Sequence, residues 1–244
     1  MTKDERSKLA YEKHKYIEAN YANEIKACVE NTIEYDNTLQ PIQSNNKPIF
    51  LVTENDTVTE AFNQNEGKLC VMNFASYTNP GGNYLGGSTA QEEAVCGQSI
   101  LYEVLSRKEN WYQYNAKHKN RGLYEDRCLY SKDLRFFLND DTKLADVITI
   151  PAPNYSVLKY NPKAFKKSDN TSVLFSRMQL LKNVCETNKV NTLIAGAWGC
   201  GVFAQDPLEV ARIFKKVFET TTIKKIIFAI PGGRNFNSFK SIFK

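Results

Sequence analysis

Two periods of apolar and polar residues run along this chain, and the switches between them mark its elements. From Lys3 to about Tyr35 apolar residues recur at helical spacing (Leu9, Tyr16, Ile17, then Ala22, Ile25, Cys28, Val29), which predicts two short packing helices. Short apolar runs at 48–53 and 68–74 then predict two strands, the second one buried, and a glycine-rich loop follows it. Helical spacing returns from about Thr89 to Leu105, a strand is expected at 147–150 before Pro151, and a further helix fits 172–187.

The rhythm repeats in the last third. Residues 192–195 read as a strand, and Asp206-Pro207 starts a helix with an N-cap acid and a first-turn proline. Val210, Ile213, Phe214 and Val217 form that helix's apolar face, and the strand at 225–230 completes the sheet. The stretch from Tyr112 to Lys143 mixes charges and aromatics without a period and is read as an irregular excursion on the same domain. Strands alternating with helices predict an α/β layered fold, in which ligands bind beyond the carboxyl ends of the strands.

Composition narrows the class. At 244 residues, with 42% hydrophobic and 24% charged residues, the chain has the composition of an ordinary globular protein. One domain of this size buries about three quarters of its unfolded surface, enough to stand without a metal or disulfide. The six cysteines form no CxxC pair and are read as reduced thiols, which with the polar start at Met1–Lys8 points to an intracellular protein, cytoplasmic or nuclear. No apolar run reaches the roughly 20 residues that span a bilayer, so no membrane partner is expected. The net charge of +5 is spread among acids, so no dedicated nucleic-acid partner is expected either.

Two loops carry the candidate chemistry. Asn79-Pro80-Gly81-Gly82-Asn83-Tyr84-Leu85-Gly86-Gly87 follows a strand and runs into Gln91-Glu92-Glu93 at a helix start. Glycines let backbone amides approach a sugar or phosphate closely. Either glutamate taken alone is equally readable as an acid placed at a helix start by the helix dipole. A catalytic pair requires one carboxyl desolvated enough to donate a proton while its neighbour stays ionised. The second loop, Gly196-Ala197-Trp198-Gly199-Cys200-Gly201-Val202-Phe203, also sits between strand and helix and suits a diphosphate. It matches neither GxGxxG nor the P-loop. Phe203 is equally readable as a stacking ring or a core residue. Cys200 has only His14 and His118 as conceivable bases, neither within a motif, and no metal-binding spacing occurs, so neither a cysteine hydrolase nor a metal or other cofactor is expected.

Asn73-Phe74-Ala75-Ser76, Asn79-Pro80-Gly81-Gly82, Gln91-Glu92-Glu93 and the 196–203 loop together resemble the microbial-type poly(ADP-ribose) glycohydrolase family, over most of the chain up to Gly233-Arg234-Asn235-Phe236. The resemblance implies a macrodomain-like three-layer α/β/α fold with a central mixed sheet, formed by a single catalytic domain over 1–244 with an N-terminal helical extension of about 40 residues. It implies hydrolysis of ribose–ribose O-glycosidic bonds, with Glu93 as the catalytic acid and Glu92 helping to hold the ribose. Gln91 would support both, and Asn73, Asn79, Gly81 and Gly82 would line the ribose side. Gly199, Cys200, Gly201, Val202 and Phe203 would hold the diphosphate. The ligand would be ADP-ribose or its polymer, free or attached to a protein.

The family pattern usually has a third glycine where this chain has Asn83. That side chain keeps a mono(ADP-ribosyl) hydrolase acting on modified protein or nucleic acid as an alternative. A catalytically silent ADP-ribose reader is the alternative from another class, although it would not need both glutamates.

Overall fold

Alternation along the strands divides their side chains between two cores, and this division sets the layers. The computed structural model describes residues 1–244. Its helices are α1 (Lys3–Asn20), α2 (Ala22–Glu30), α3 (Thr57–Phe62), α4 (Gln91–Gly97), α5 (Leu101–Ser106), α6 (Glu109–Lys117), α7 (Lys167–Thr187), α8 (Pro207–Val217) and α9 (Gly233–Ile242). Its strands are β1 (Ile33–Asp36), β2 (Ile49–Thr53), β3 (Leu69–Asn73), β4 (Arg127–Leu138), β5 (Asp141–Thr149), β6 (Thr192–Ala195) and β7 (Lys225–Ala229). They form one seven-stranded mixed sheet in the order β1-β4-β5-β3-β6-β7-β2. The β1/β4 and β4/β5 pairs are antiparallel, and the other four pairs are parallel.

In β3, Cys70 and Met72 face one core while Leu69 and Val71 face the other. The first core receives Leu174 to Cys185 of α7, Val210 to Val217 of α8, and Phe236 and Phe239 of α9. The second receives Ala10 and Ile17 of α1, Ile25 and Cys28 of α2, and apolar residues of α3 to α6. A strand covered on both faces reads as a near-continuous apolar run, and all five residues of β3 are buried, with Asn73 the polar one at its end. The architecture is thus three-layered α/β/α about a mixed sheet. No helix is long and apolar enough to cross a membrane.

Four local readings of the sequence need correction. The stretch 112–143 is regular: it contains most of α6, all of β4 and the start of β5. Its period is hidden by a bulge between Ser131 and Leu134, where Asp133 adopts φ 51°. The extra residue flips the parity of the strand, so Leu129 before the bulge and Leu134 and Phe136 after it enter the same core. The N-terminal helical region ends at Glu30, and 33–36 forms an edge strand on β4.

The helix expected over 89–105 breaks into α4 and α5, because residues 98–100 leave the helix to join β4. Phe137 donates its N–H to the Gln98 carbonyl (2.8 Å), and Ile100 donates to that of Arg135 (3.1 Å). Finally, the last strand in sequence lies inside the sheet, with β2 outside it. The helices α3 and α9 were not anticipated; Asp56 caps the first, accepting from the amides of Val58 (2.9 Å) and Thr59 (3.0 Å).

A fully buried arginine ties the excursion before β4 to the end of β5. Arg177 of α7 bonds Asp126 (3.0 Å) and the carbonyls of Pro151 (3.1 Å) and Leu123 (3.0 Å). Arg177→Met leaves that carboxylate and those carbonyls without their donor and is expected to lower the unfolding free energy by about 3 kcal/mol, measured by urea denaturation.

Candidate active site

The loops after β3, β6 and β7, together with the start of α3, surround one cleft of about 760 Å³. These strands are parallel neighbours, so their carboxyl ends open on the same edge of the sheet. Of the residues singled out in the sequence, Asn79, Gly82, Gln91, Glu92, Glu93, Gly199, Gly201, Val202 and Phe203 line the cleft. Asn73, Gly81 and Cys200 do not: Asn73 and Gly81 are buried beneath it, and Cys200 borders a smaller neighbouring hollow.

The two glutamates are held differently. Asn73, fully buried at the end of β3, donates its Nδ2 to Glu92 Oε1 (3.2 Å), and the Ser76 amide donates to Glu92 Oε2 (2.7 Å). Both carboxyl oxygens of Glu92 are therefore engaged. Burial pushes this carboxyl up to about 8, against the pull of those donors. The carboxyl whose burial favours the protonated form is thus the one the resemblance assigns to ribose holding. Glu93 Oε1 accepts the Asn83 amide (2.9 Å), whereas its Oε2 is buried and accepts no hydrogen bond from the protein. Gln91 acts as a bracket between α4 and β3: its side-chain oxygen accepts from Phe74 N (2.8 Å), and its Nε2 donates to the Met72 carbonyl (2.9 Å) and to Thr57 Oγ1 (3.2 Å).

The loop approaches the carboxyls so closely that a side chain cannot fit between them. At Gly82, φ is 62°, and an added Cβ would lie 2.5 Å from Glu93 Oε1 and 3.0 Å from Glu92 Oε2. Asn83 does not adopt positive φ, so this position does not require glycine. Its side chain turns onto its own loop, donating to Ser88 Oγ (2.9 Å).

The second loop offers anion donors without a cationic side chain of its own. The amides of Gly201, Val202 and Phe203 donate to no group of the protein. The first amides of α8 are not available, because Asp206 caps them, accepting from Leu208 N (2.8 Å) and Glu209 N (3.3 Å). The free donors of this loop therefore lie in the turn itself and not at the helix start. Phe203 is partly buried, packed against the α7–α9 core and edge-on to Tyr124 at 6.1 Å, so its two readings are not exclusive.

Burial lifts the Cys200 thiol to about 12, and neither histidine lines the cleft, which leaves a thiolate nucleophile without a base. The sequence reading gave no site role to Asp56, Thr57 and Ser76, nor to Pro231, Gly232, Arg234 and Asn235 in the turn after β7, all of which line the cleft. The last had a signal: Pro231-Gly232-Gly233 is a third glycine turn between a strand and a helix.

A macrodomain-like α/β/α sheet, a glycine loop against two carboxyls and a turn of free amides define a class of hydrolase that handles a phosphate-linked sugar. The microbial-type PARG catalytic domain matches this chain over residues 2–139. The chain belongs to that family, and its activity is that of a poly(ADP-ribose) glycohydrolase, a glycosidase.

Among solved structures, the poly(ADP-ribose) glycohydrolase of Thermomonospora curvata superposes with a TM-score of 0.87 at 23% identity, over 98% of this chain and 100% of that one. The same enzyme bound to the inhibitor ADP-HPD gives 0.85 at 23% identity, over 98% and 99%. The Deinococcus radiodurans enzyme in complex with ADP-ribose gives 0.79 at 26% identity, over 89% and 96%. No curated protein sequence matches the chain.

Two predictions test this geometry. Gly82→Ala is expected to remain folded by circular dichroism while kcat/KM on poly(ADP-ribose) falls on the order of 100-fold, because the methyl must displace the Glu93 carboxyl.

The second concerns Glu92, whose folded pKa of about 8 lies above the unfolded value of about 4.3. The unfolded chain then binds fewer protons between those values, so this group's contribution is fully present below about pH 4 and is lost as pH rises through 8. Relative to wild type, Glu92→Gln should gain stability steadily across that window in urea titrations. Parallel pH profiles for the two proteins would exclude the buried carboxyl as the cause.

Proposed function

We propose that the chain, working as one catalytic unit over 1–244, releases ADP-ribose from poly(ADP-ribose) by hydrolysing ribose–ribose O-glycosidic bonds, with Glu93 as the general acid. The observation that carries this assignment is that Glu93 lines the cleft with its buried Oε2 unpartnered by the protein, beside a Glu92 whose two oxygens are both engaged. Glu93 protonates the departing oxygen as the anomeric carbon gains cationic character, and the resulting carboxylate then activates the attacking water. Glu92, protonated at neutral pH by its burial, offers a donor to a ribose oxygen. Asn73 fixes Glu92, Gln91 fixes the helix start, and Asn79 and Gly82 border the ribose. The free amides of Gly201, Val202 and Phe203 grip the diphosphate, so binding far from the reacting bond holds the sugar in line.

The ADP-ribose complex of the D. radiodurans enzyme and the ADP-HPD complex of the T. curvata enzyme support ADP-ribose as the ligand. Asn83, which lines the cleft, has its side-chain amide engaged by Ser88 Oγ, and this is compatible with polymer as the substrate. Six free cysteines, five of them buried, suit a reducing intracellular compartment, cytoplasm or nucleus.

The deciding experiment follows free ADP-ribose released from poly(ADP-ribose) by the wild type and by Glu93→Gln, with ADP-ribose affinity measured on both. Activity should fall by about 10²- to 10⁴-fold with affinity retained. An active Glu93→Gln would remove Glu93 from the role of acid. A wild type that binds ADP-ribose and leaves polymer intact would shift the substrate to mono-ADP-ribosylated protein or nucleic acid.

A further inference from the structure

We propose that α1 is a brace for the catalytic loop and that Arg6 and Ser7 are positioning residues for the hydrolysis; this rests on the reading of Glu93 as the acid. Both side chains reach across to the 83–88 segment. Arg6 Nε donates to the Gly87 carbonyl (2.8 Å), and Ser7 Oγ donates to that of Leu85 (2.6 Å). The guanidinium is itself steadied, because its NH1 donates to the Met1 carbonyl (2.8 Å). The helix and loop backbones are in direct contact: an added Cβ on Gly87 would lie 2.4 Å from the Lys3 carbonyl oxygen and 2.9 Å from Ser7 N.

The braced segment is a closed ring. Asn83 Nδ2 donates to Ser88 Oγ (2.9 Å), Ser88 N donates back to the Asn83 carbonyl (3.2 Å), and Gly87 N donates to that of Tyr84 (2.9 Å). Asn83 then presents its own amide to Glu93 Oε1. A force path therefore runs from α1 through Leu85 and Gly87, across the ring, to the one protein hydrogen bond that orients the Glu93 carboxyl. Neither Arg6 nor Ser7 lines the cleft, so their effect on the reaction passes through this path. A carboxyl acid must meet the departing oxygen within a few tenths of an ångström, and a loosened loop spreads its positions.

The test compares Arg6→Ala/Ser7→Ala, Ser7→Thr, Glu18→Ala and Glu93→Gln with wild type. Glu18 ion-pairs with Arg107 (2.7 Å), which secures the far half of α1 to the neighbourhood of α5 without touching the loop. Melting temperature, ADP-ribose affinity, and kcat and KM on poly(ADP-ribose) are read for each. The double variant should stay folded, keep its ADP-ribose affinity within about twofold and lose about tenfold in kcat. Ser7→Thr, which retains the hydroxyl donor, and Glu18→Ala should keep the wild-type kcat. Should the double variant be unfolded, Ser7→Ala alone carries the same comparison.

A folded double variant with wild-type kcat overturns the brace, as does a loss of kcat that Glu18→Ala reproduces in proportion to its melting temperature. If Glu93→Gln is itself fully active, the reading of Glu93 fails instead; if it is inactive while the double variant is unaffected, only the brace fails.

Discussion

A single main-chain hydrogen bond, from Asn83 N to Glu93 Oε1, joins the glycine loop to the carboxyl pair, and the site depends on the closeness that makes it possible. That distance exists only because Gly82 has no side chain between the two, and because the loop returns on itself from Asn83 to Ser88. Backbone amides are inexpensive orienting groups: they carry no side-chain rotamers, and the fold fixes them once the loop is fixed. The same economy recurs in the second loop, where the amides of Gly201, Val202 and Phe203 are left free of protein partners.

The rest of the molecule can be understood as support for this closeness. Glu92 stays buried because Asn73 and Ser76 supply donors where water is excluded, and Asn73 can do so because it ends a strand covered on both faces. Gln91 locks the start of α4 onto that strand end. From outside, α1 clasps the loop through Leu85 and Gly87. The loop thus lies between a rigid sheet and a helix that the second core holds through Ala10 and Ile17.

Placement of the pair also divides their chemistry. The deeper carboxyl has no free oxygen and a raised pKa, while its neighbour keeps one oxygen without a protein partner. Two adjacent glutamates on one helical turn point about 100° apart, so the sheet on one side and the loop on the other give them unlike surroundings. Identical side chains acquire different roles from their burial and their donors.

The parallel strands, both long glycine loops and the carboxyl pair were legible in the sequence, because each is a local signal: apolar runs such as 69–73, clustered glycines, and acids at a helix start. Asp206 announced α8 for the same reason. Non-local devices were not legible. The bulge at Asp133 reversed the parity of β4 and hid its period, and residues 98–100 left a helical pattern to pair with β4, a partner far along the chain. The sequence could place Glu92 and Glu93 side by side, but which of them is desolvated depends on Asn73, Ser76 and Asn83 converging from separate segments. Likewise nothing local at Arg6 or Ser7 points to a loop some 80 residues away. Periodicity and turn chemistry are written in neighbouring residues; burial, hydrogen-bond partners and proton affinity arise only when distant segments exclude water from one another.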